Sequence, residues 1–487
     1  MANIRSALTF DDVLLVPQYS DILPRDVSLE THFTRNVTLN IPLVSAAMDT
    51  VTQEKMAIAM ALHGGIGVIH KNCSPDEQAE MVRTVKRFEN GFIREPMVIS
   101  PKHLVSDVID LRQKHHFKSL PVTEDGTLTS QVVGMITRND YLQKHANFTV
   151  AERMTPIKEL LTTTEPITLS AANDILEESK HSKLLVLRKD GTLAALVTRK
   201  DIEKNEQFPL ASKDKRKRLC VAAACGPAAN RDERVSALVD AGVDVLVVDT
   251  AHGHSKGVID TVKYIKKQFP KVDVVAGNIA TAEAAEALIA AGVDGVKVGI
   301  GPGSICTTRV IAGVGVPQLT AVMDVSAVCR KHKIPLTADG GIRYSGDAAK
   351  ALAAGADAVM VGSLLAGTDQ APGELIYSGG KTWKYYRGMG SIAAMQRGGK
   401  ERYAQANVAD EKLVPEGIEG KVLYKGDAAT ELFQLCGGIR SSMGYNGAKD
   451  LKTFQKKAQF VQITGASLRE SHPHDISIMK EAPNYRS

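Results

Sequence analysis

The chain has 487 residues, enough to bury a large core and to form more than one domain. Its 44% hydrophobic and 24% charged residues are ordinary for a globular protein, and a net charge of +5 argues weakly for anionic ligands and poorly for nucleic acid. Aromatic residues at 5% also disfavour a base-stacking protein, and no apolar run reaches the ~18 residues of a membrane span, so with no signal-peptide core in MANIRSALTFDD the expected location is cytoplasmic.

Two apolar strands are predicted first, IPLVSAA (41–47) and GGIGVIH (64–70). Residues 93–203 then hold an internal repeat, with copies at about 93–147 and 150–203: EDGTLTSQVVGMITRND in the first and KDGTLAALVTRKD in the second. Asp125 aligns with Asp190, 65 residues on, and Thr137 with Thr198, 61 residues on, so the first copy carries four extra residues. Each copy reads as turn, strand, then Thr-x-x-Asp opening a helix. The pair resembles tandem cystathionine-β-synthase-type (CBS) modules, which implies a regulatory site for purine nucleotides. Asp140 and Asp201 are then either ribose contacts or first-turn acids favoured by a helix dipole. The run KDKRKR (213–218) reads as a solvated linker back into the first domain.

From residue 220 six more strands alternate with alanine-rich helical stretches: CVAAAC (220–225), VDVLVVDT (243–250), VDVVAGN (272–278), VDGVKVGIG (293–301), IPLTADGG (334–341) and ADAVMVGS (356–363). Continuous apolar strands between helices indicate a parallel sheet covered on both faces. Two and six give the eight strands of a (β/α)8 TIM barrel, formed by 1–92 and 204–487 around the inserted pair. An open doubly wound sheet is the alternative, but no GxGxxG opens a helix after the first strand.

Active sites of such barrels lie at the C-terminal ends of the strands, and those ends are polar and glycine-rich here. The fourth ends in Asp249-Thr250-Ala251, the fifth in Gly277-Asn278 and the sixth in Gly299-Ile300-Gly301. The seventh ends in Asp339-Gly340-Gly341 and the eighth in Gly362-Ser363. Glycines after the last two strands let backbone N–H groups approach a phosphate. Asp339 suits sugar hydroxyls; its alternative role is a cap for the next helix.

The six cysteines (73, 220, 225, 306, 329, 436) show no CxxC spacing, and Cys220 and Cys225 read as core thiols. Cys306 differs by its place in GIGPGSICTTR, after the sixth strand. A lone cysteine is commonly an inert buried group, but here Thr308 can relay a proton and Arg309 can favour a thiolate. Carbonyls of Gly301, Gly303 and a cysteine could also hold a monovalent cation. A long segment, about 374–445, follows the eighth strand and is expected to form a mobile polar flap containing TWKYYRGMGS, KERYAQ and VPEGIEG. The alternative for Arg402-Tyr403 is a surface pair.

LTFDDVLLVP, AAMDTVT, GGIGVIHKN, GIGPGSICTTR, ADGGIR, YRGMGS, VPEGIEG and RESHPHD together resemble the bacterial inosine-5′-monophosphate (IMP) dehydrogenases over essentially the whole chain. GMP reductases share the barrel and a similar cysteine loop but typically lack the CBS insertion and the Arg-Tyr dyad. The resemblance implies NAD-dependent oxidation of IMP to xanthosine monophosphate (XMP) in guanine nucleotide synthesis. Cys306 would form a thioimidate with the purine, hydrolysed with the help of Arg402, Tyr403 and Thr308. It implies substrate contacts from Met48, Ser304, Asp339, Gly341, Gly362, Ser363, Tyr386, Gly388, Met389, Gly390 and Glu416. Dinucleotide contacts would come from Asp249, Thr250, Ala251, Asn278, Gly299 and Gly301, with Tyr445 of a neighbouring subunit. It further implies potassium held by carbonyls of Gly301, Gly303 and Cys306 with a neighbour's Glu470, Ser471 and His472. A site shared in that way implies a homotetramer, with pairing into octamers left open. A nucleotide-sensing or nucleic-acid-binding regulator is the competing class of function.

Overall fold

Eight short parallel strands close into a barrel in the computed structural model, which describes residues 4–485 apart from 89–91, 95, 116, 118, 200–206, 404, 406 and 407. They are β1 Leu43–Ser45, β2 Ile66–Ile69, β3 Ala222–Cys225, β4 Val245–Asp249, β5 Asp273–Ile279, β6 Gly295–Val298, β7 Leu336–Asp339 and β8 Ala358–Val361. Neighbours pair in sequence order, and β8 closes onto β1. All eight expected strands are present, and all but β5 are shorter than their apolar runs because pairing stops where the chain turns into a loop. Residues in β1 to β6 and β8 are buried without alternation, as a sheet covered on both faces requires.

Inside the barrel Val44, Ile66, Val68, Ala222, Ala224, Val245, Val247, Val275 and Met360 form one apolar cluster with Phe33. Phe33 lies between the short strands Thr31–His32 and Thr38–Leu39, whose turn serves the strand starts. There Thr34 and Asn36 donate to Asp273, and Arg35 pairs with Asp294 at 2.8 Å. Acids at this end of the barrel are thus matched within the framework, which leaves the opposite end for chemistry.

The chain divides into two compact units. One runs up to Lys86, then takes Leu210–Ser212 and everything from Leu219 onward; the other is Arg87–Pro209 with Lys213–Arg218. The basic run therefore groups with the second unit rather than serving as a free linker, and Asp214 folds it into a turn by accepting from Arg216 N, Arg218 N and Arg218 Nε.

Within the second unit each copy of the repeat contributes a hairpin, Ser119–Thr123 with Val132–Thr137 and Lys183–Leu187 with Leu193–Thr198. Asp125 and Asp190 play the same part in the two turns, each accepting from the backbone N–H and hydroxyl of the threonine two residues on. The copies are not separate along the chain. Thr155–Pro156 joins the first sheet, whereas Phe92–Ile93 joins the second, so each copy takes an edge strand from beyond its expected boundary. Asp140 accepts from the Thr137 backbone and hydroxyl and is followed by a single 3-10 turn, Gln143–His145, rather than the expected helix. Asp201 lies outside the described residues.

The segment after β8 is not one irregular flap. Three antiparallel strands, β9 Leu375–Ser378, β10 Lys381–Arg387 and β11 Glu419–Leu423, frame residues 388–418. Ala428–Tyr445 is an 18-residue helix burying Leu432, Leu435, Ile439 and Met443. Among its described residues 388–418 holds only short helical turns, Ile392–Gln396, Gly399–Tyr403 and Asp410–Lys412. No helix among the described residues is long and apolar enough to cross a membrane.

Candidate active site

Past β6 the chain runs without regular structure from Gly299 to Thr307, then makes one helical turn, Thr308–Ile311. Gly299 has φ +147°, and a Cβ there would fall 2.0 Å from the Asp339 carbonyl oxygen, so no other residue fits between β6 and β7. Arg309 braces the loop through the carbonyls of Ile300 (3.1 Å) and Val316 (2.7 Å). Cys306 is half-buried, with Sγ 3.2 Å from the Thr308 hydroxyl, the contact a proton relay needs.

Behind this loop lies a group the sequence reading passed over. Lys297, in the middle of β6 and 1% exposed, points its ammonium between two acids. Nζ stands 2.9 Å from Asp249 Oδ1 and 2.7 Å from Asp339 Oδ2, and it donates to Asn278 Oδ1. The Asp249 contact is an ion pair without hydrogen-bond geometry. Asn278 completes the set by donating to Asp339 Oδ2 at 2.9 Å. Both partners of Asp339 fall on Oδ2, which leaves Oδ1 without a partner among the described residues. Asp339 is no helix cap: Asp347 accepts from Arg343 N and Tyr344 N at the next helix.

Gly340 and Gly341 follow with φ of +92° and +80°, left-handed positions that favour glycine. Across from them a Cβ on Gly362 would lie 3.1 Å from the Tyr386 hydroxyl and 3.3 Å from Met48 Sδ. Burial pushes the Tyr386 hydroxyl up to about 12, against a hydrogen bond with Ser304. Ser304, Gly362, Met48 and Tyr386 therefore converge. Ser363 heads only a single helical turn, Ser363–Ala366, so little helix dipole adds to this corner.

Gly388, Met389, Arg402, Tyr403 and Glu416 bring the segment after β10 back over the cavity. Cys306 bridges to Gly417, Thr307 N donates to Glu416 O at 3.0 Å, and Glu416 N donates to Gly390 O at 3.0 Å. Tyr403 packs its ring on Gly390, where a Cβ would sit 2.6 Å from Cζ, and burial raises its pKa against the nearby Arg402. Arg402 forms an ion pair with Asp249, and its carbonyl accepts from Ala251 N at 3.1 Å. The dyad is thus no surface pair. A further buried pair missed from sequence, Arg387 with Asp49, anchors β10 to the loop after β1. Burial opposes ionisation of Asp49, but hydrogen bonds from Arg387 and Asn72 outweigh it and hold the carboxyl below its usual range.

A cavity of about 130 Å³ joins these parts. Its walls include Cys306, Thr308, Arg402, Tyr403, Met48, Asp339, Tyr386, Gly388, Met389 and Glu416, together with Asp249, Ala251, Asn278, Gly299, Gly301 and Gly303. Ser304, Gly341, Gly362, Ser363 and Gly390 stand outside this wall, and Thr250 is turned away, its hydroxyl donating to Gly277 O at 3.0 Å. Tyr445 is 71% exposed, and His472 contacts the Tyr485 hydroxyl at 2.9 Å beside Tyr344. Neither Tyr445 nor Glu470, Ser471 or His472 lines the cavity of its own chain.

The acid Asp249 with Asn278 and the glycine backbone at 299–301 suits a dinucleotide ribose and carboxamide, provided Arg402 withdraws. Three carbonyls from one loop suit a weakly hydrated monovalent cation; that of Gly303 also accepts from Cys306 N at 3.1 Å, and its second lone pair is not used by that bond. Among the described residues no cluster of three His, Cys, Asp or Glu side chains offers a site for a transition metal.

A family model described as "IMP dehydrogenase / GMP reductase domain" matches residues 7–474. The chain belongs to this family. Inosine-5′-monophosphate dehydrogenases of Aquifex aeolicus and Halalkalibacterium halodurans are 53% and 52% identical to it, each over 99% of this chain and 98% of the relative. That of Streptococcus pyogenes is 53% identical over 99% and 98%. A crystal structure of a GMP reductase variant from Trypanosoma brucei, in complex with guanosine 5′-monophosphate, superposes with a TM-score of 0.88 at 42% identity, covering 98% of this chain and 99% of that one. Such coverage leaves no room for a missing 93–203. That reductase therefore spans the insertion that reductases typically lack, so the insertion alone does not assign the branch.

Proposed function

We propose that the chain oxidises IMP to XMP with NAD⁺ and water, the dehydrogenase branch of its family, within guanine nucleotide synthesis. The observation that carries this reading is the joint presence in one cavity of Cys306 and the Arg402–Tyr403 dyad, with Arg402 seated on Asp249 and Ala251. A reductase has no need to activate water. Sequence identity points the same way, at 53% to a named dehydrogenase and 42% to the named reductase.

In this reading Cys306 Sγ, its proton passed towards Thr308, adds to C2 of the purine. Phosphate is held by the backbone at Gly341, Gly362 and Ser363 with Ser304 and Tyr386. Asp339 Oδ1 takes the ribose hydroxyls, while Met389, Gly390 and Glu416 lie along the base. NAD⁺, when bound along Asp249, Asn278 and Gly299–Gly301, supplies the hydride acceptor. Loss of hydride from C2 leaves a thioimidate on Cys306; water then attacks C2, the C–S bond breaks and XMP departs with the thiol restored. Arg402, with Tyr403 and the Thr308 hydroxyl beside it, activates that water; because guanidinium holds its own proton strongly, the proton taken from water is shared between Arg402 and Thr308.

Charge supports two alternating states. With Arg402 seated, two cations (Lys297, Arg402) face two acids (Asp249, Asp339). Withdrawal of Arg402 leaves a net negative site, which favours a cationic nicotinamide over its neutral reduced form. The same reading includes potassium on the carbonyls of Gly301, Gly303 and Cys306, completed by Glu470, Ser471 and His472 of a second copy. It also includes a dinucleotide pocket finished by a second copy's Tyr445, a homotetramer, and purine nucleotides regulating through the CBS-like pair.

Incubation with IMP, NAD⁺ and potassium should raise the NADH absorbance band. No NADH, together with NADPH-dependent deamination of GMP, would move the assignment to the reductase branch.

A further inference from the structure

A second cavity, of about 190 Å³, opens beyond the catalytic one between the ends of β2 and β3 and the covering segment. Lys71, Arg231, Arg234 and Arg397 line it, opposed by one acid, Glu401. Arg231 is matched by Asp232 at 2.7 Å, and Arg234 donates to Gln78 and to the Cys73 carbonyl. Lys71 is different: its Nζ is buried and, among the described residues, has no hydrogen-bond partner. A Cβ at Gly226 would lie 2.4 Å from Nζ, so the ammonium packs directly against that glycine. An unpaired buried ammonium costs several kcal/mol, so the framework must supply a counter-charge or the group must lose its proton. Burial lowers the Lys71 pKa to about 8, which still leaves it mostly charged at neutral pH. The volume is more than ten times the ~10–15 Å³ that admits one water, and cations outnumber acids around it.

We propose that this cavity binds a free tetrahedral oxyanion of the phosphate type between Lys71 and Arg397. Arg397, Gly398 and Glu401 belong to the same segment that carries Arg402, so a bound oxyanion fastens that segment in its seated position. The anion is a free one rather than part of a dinucleotide, because its site is complete only while Arg402 occupies Asp249. The binding rests on this geometry alone; the link to turnover rests on the function proposed above.

The test titrates inorganic phosphate into the full-length protein by calorimetry at neutral pH and constant ionic strength, with saturating IMP and no dinucleotide. One saturable site per chain is expected, weakened at least tenfold in Lys71→Met and in the exposed Arg397→Met. Hydrogen exchange at 397–403 should slow with phosphate but not with chloride. In turnover, phosphate should raise the KM for NAD⁺ in the unaltered protein and not in Lys71→Met. Absence of saturable binding, or equal binding in both variants, overturns the proposal. A tenfold rise in KM for NAD⁺ in Lys71→Met without phosphate also overturns it, assigning the cavity to the dinucleotide's pyrophosphate. Failure of the IMP reading itself would appear differently, as a second phosphate site indifferent to Lys71→Met.

Discussion

Replacing Lys297 by methionine keeps the length of the side chain and removes a cation that Asp249 and Asp339 share. Both acids would stay in place around an apolar group, with Asp249 side-chain exposure at 4% and Asp339 at 19%. Breaking a buried ion pair from one side costs about 3–5 kcal/mol, most of it from the charge left behind. Arg402 still faces Asp249 and Asp339 is partly wetted, so the lower end, about 3 kcal/mol, is expected here. The assay is the denaturant midpoint of the barrel unit, followed by a probe of barrel structure because the chain has two units and will not unfold in one step. The double variant Lys297→Met, Asp339→Asn decides the cause. If the loss is electrostatic, removing the stranded charge should recover about 1–2 kcal/mol of it, whereas a packing defect would gain nothing. A single variant within about 1 kcal/mol of the parent, or a double variant no better than the single, would refute the reasoning.

Three more outcomes follow from the same geometry. Arg402→Gln should keep a first burst of one NADH per site but slow steady turnover by about 10²–10⁴-fold, the usual range for a lost acid–base group, measured by stopped flow; turnover within tenfold of the parent counts against a hydrolytic role. His70, 2% exposed, has its pKa lowered to about 4 chiefly by burial, and its Nδ1 accepts from Asn72 N at 3.1 Å. Its unfolded form takes up a proton near 6.5 while the folded form resists, so this contribution is present above pH 6.5 and is lost as pH falls towards 4, by about 3 kcal/mol in all; His70→Asn should flatten that part of the stability profile. Finally, a chain lacking 88–209 should retain NADH formation, since no described residue of that stretch lines the catalytic cavity, and loss of activity in a folded form of it contradicts this.

The barrel was readable because its strands are mostly apolar runs between helices, and the fourth to the eighth end in glycines and acids that mark the rim where chemistry belongs. The cysteine loop was readable for the same reason. Lys297 carried a signal that went unused: a lysine flanked by valines in a strand buried on both faces demands a counter-charge. Asp49 and Arg387 offered no such clue, because two isolated charges 338 residues apart declare their pairing only once β10 docks on the barrel. Thr250 looked like a rim residue from its place after the fourth strand, but its hydroxyl donates to the Gly277 carbonyl. The flap was drawn too wide because glycine and charge density do not distinguish a solvated hairpin from an irregular loop. The exchanged edge strands of the repeat are two residues each, too short for periodicity to register.

The most direct test of the central claim is the mass of the Cys306 peptide after mixing Arg402→Gln protein with IMP and NAD⁺. The account predicts a covalent nucleotide on Cys306, formed in step with the NADH burst and absent from Cys306→Ala, which should still bind IMP. NADH formed at the parental rate by Cys306→Ala, or a burst with unmodified Cys306, would contradict it.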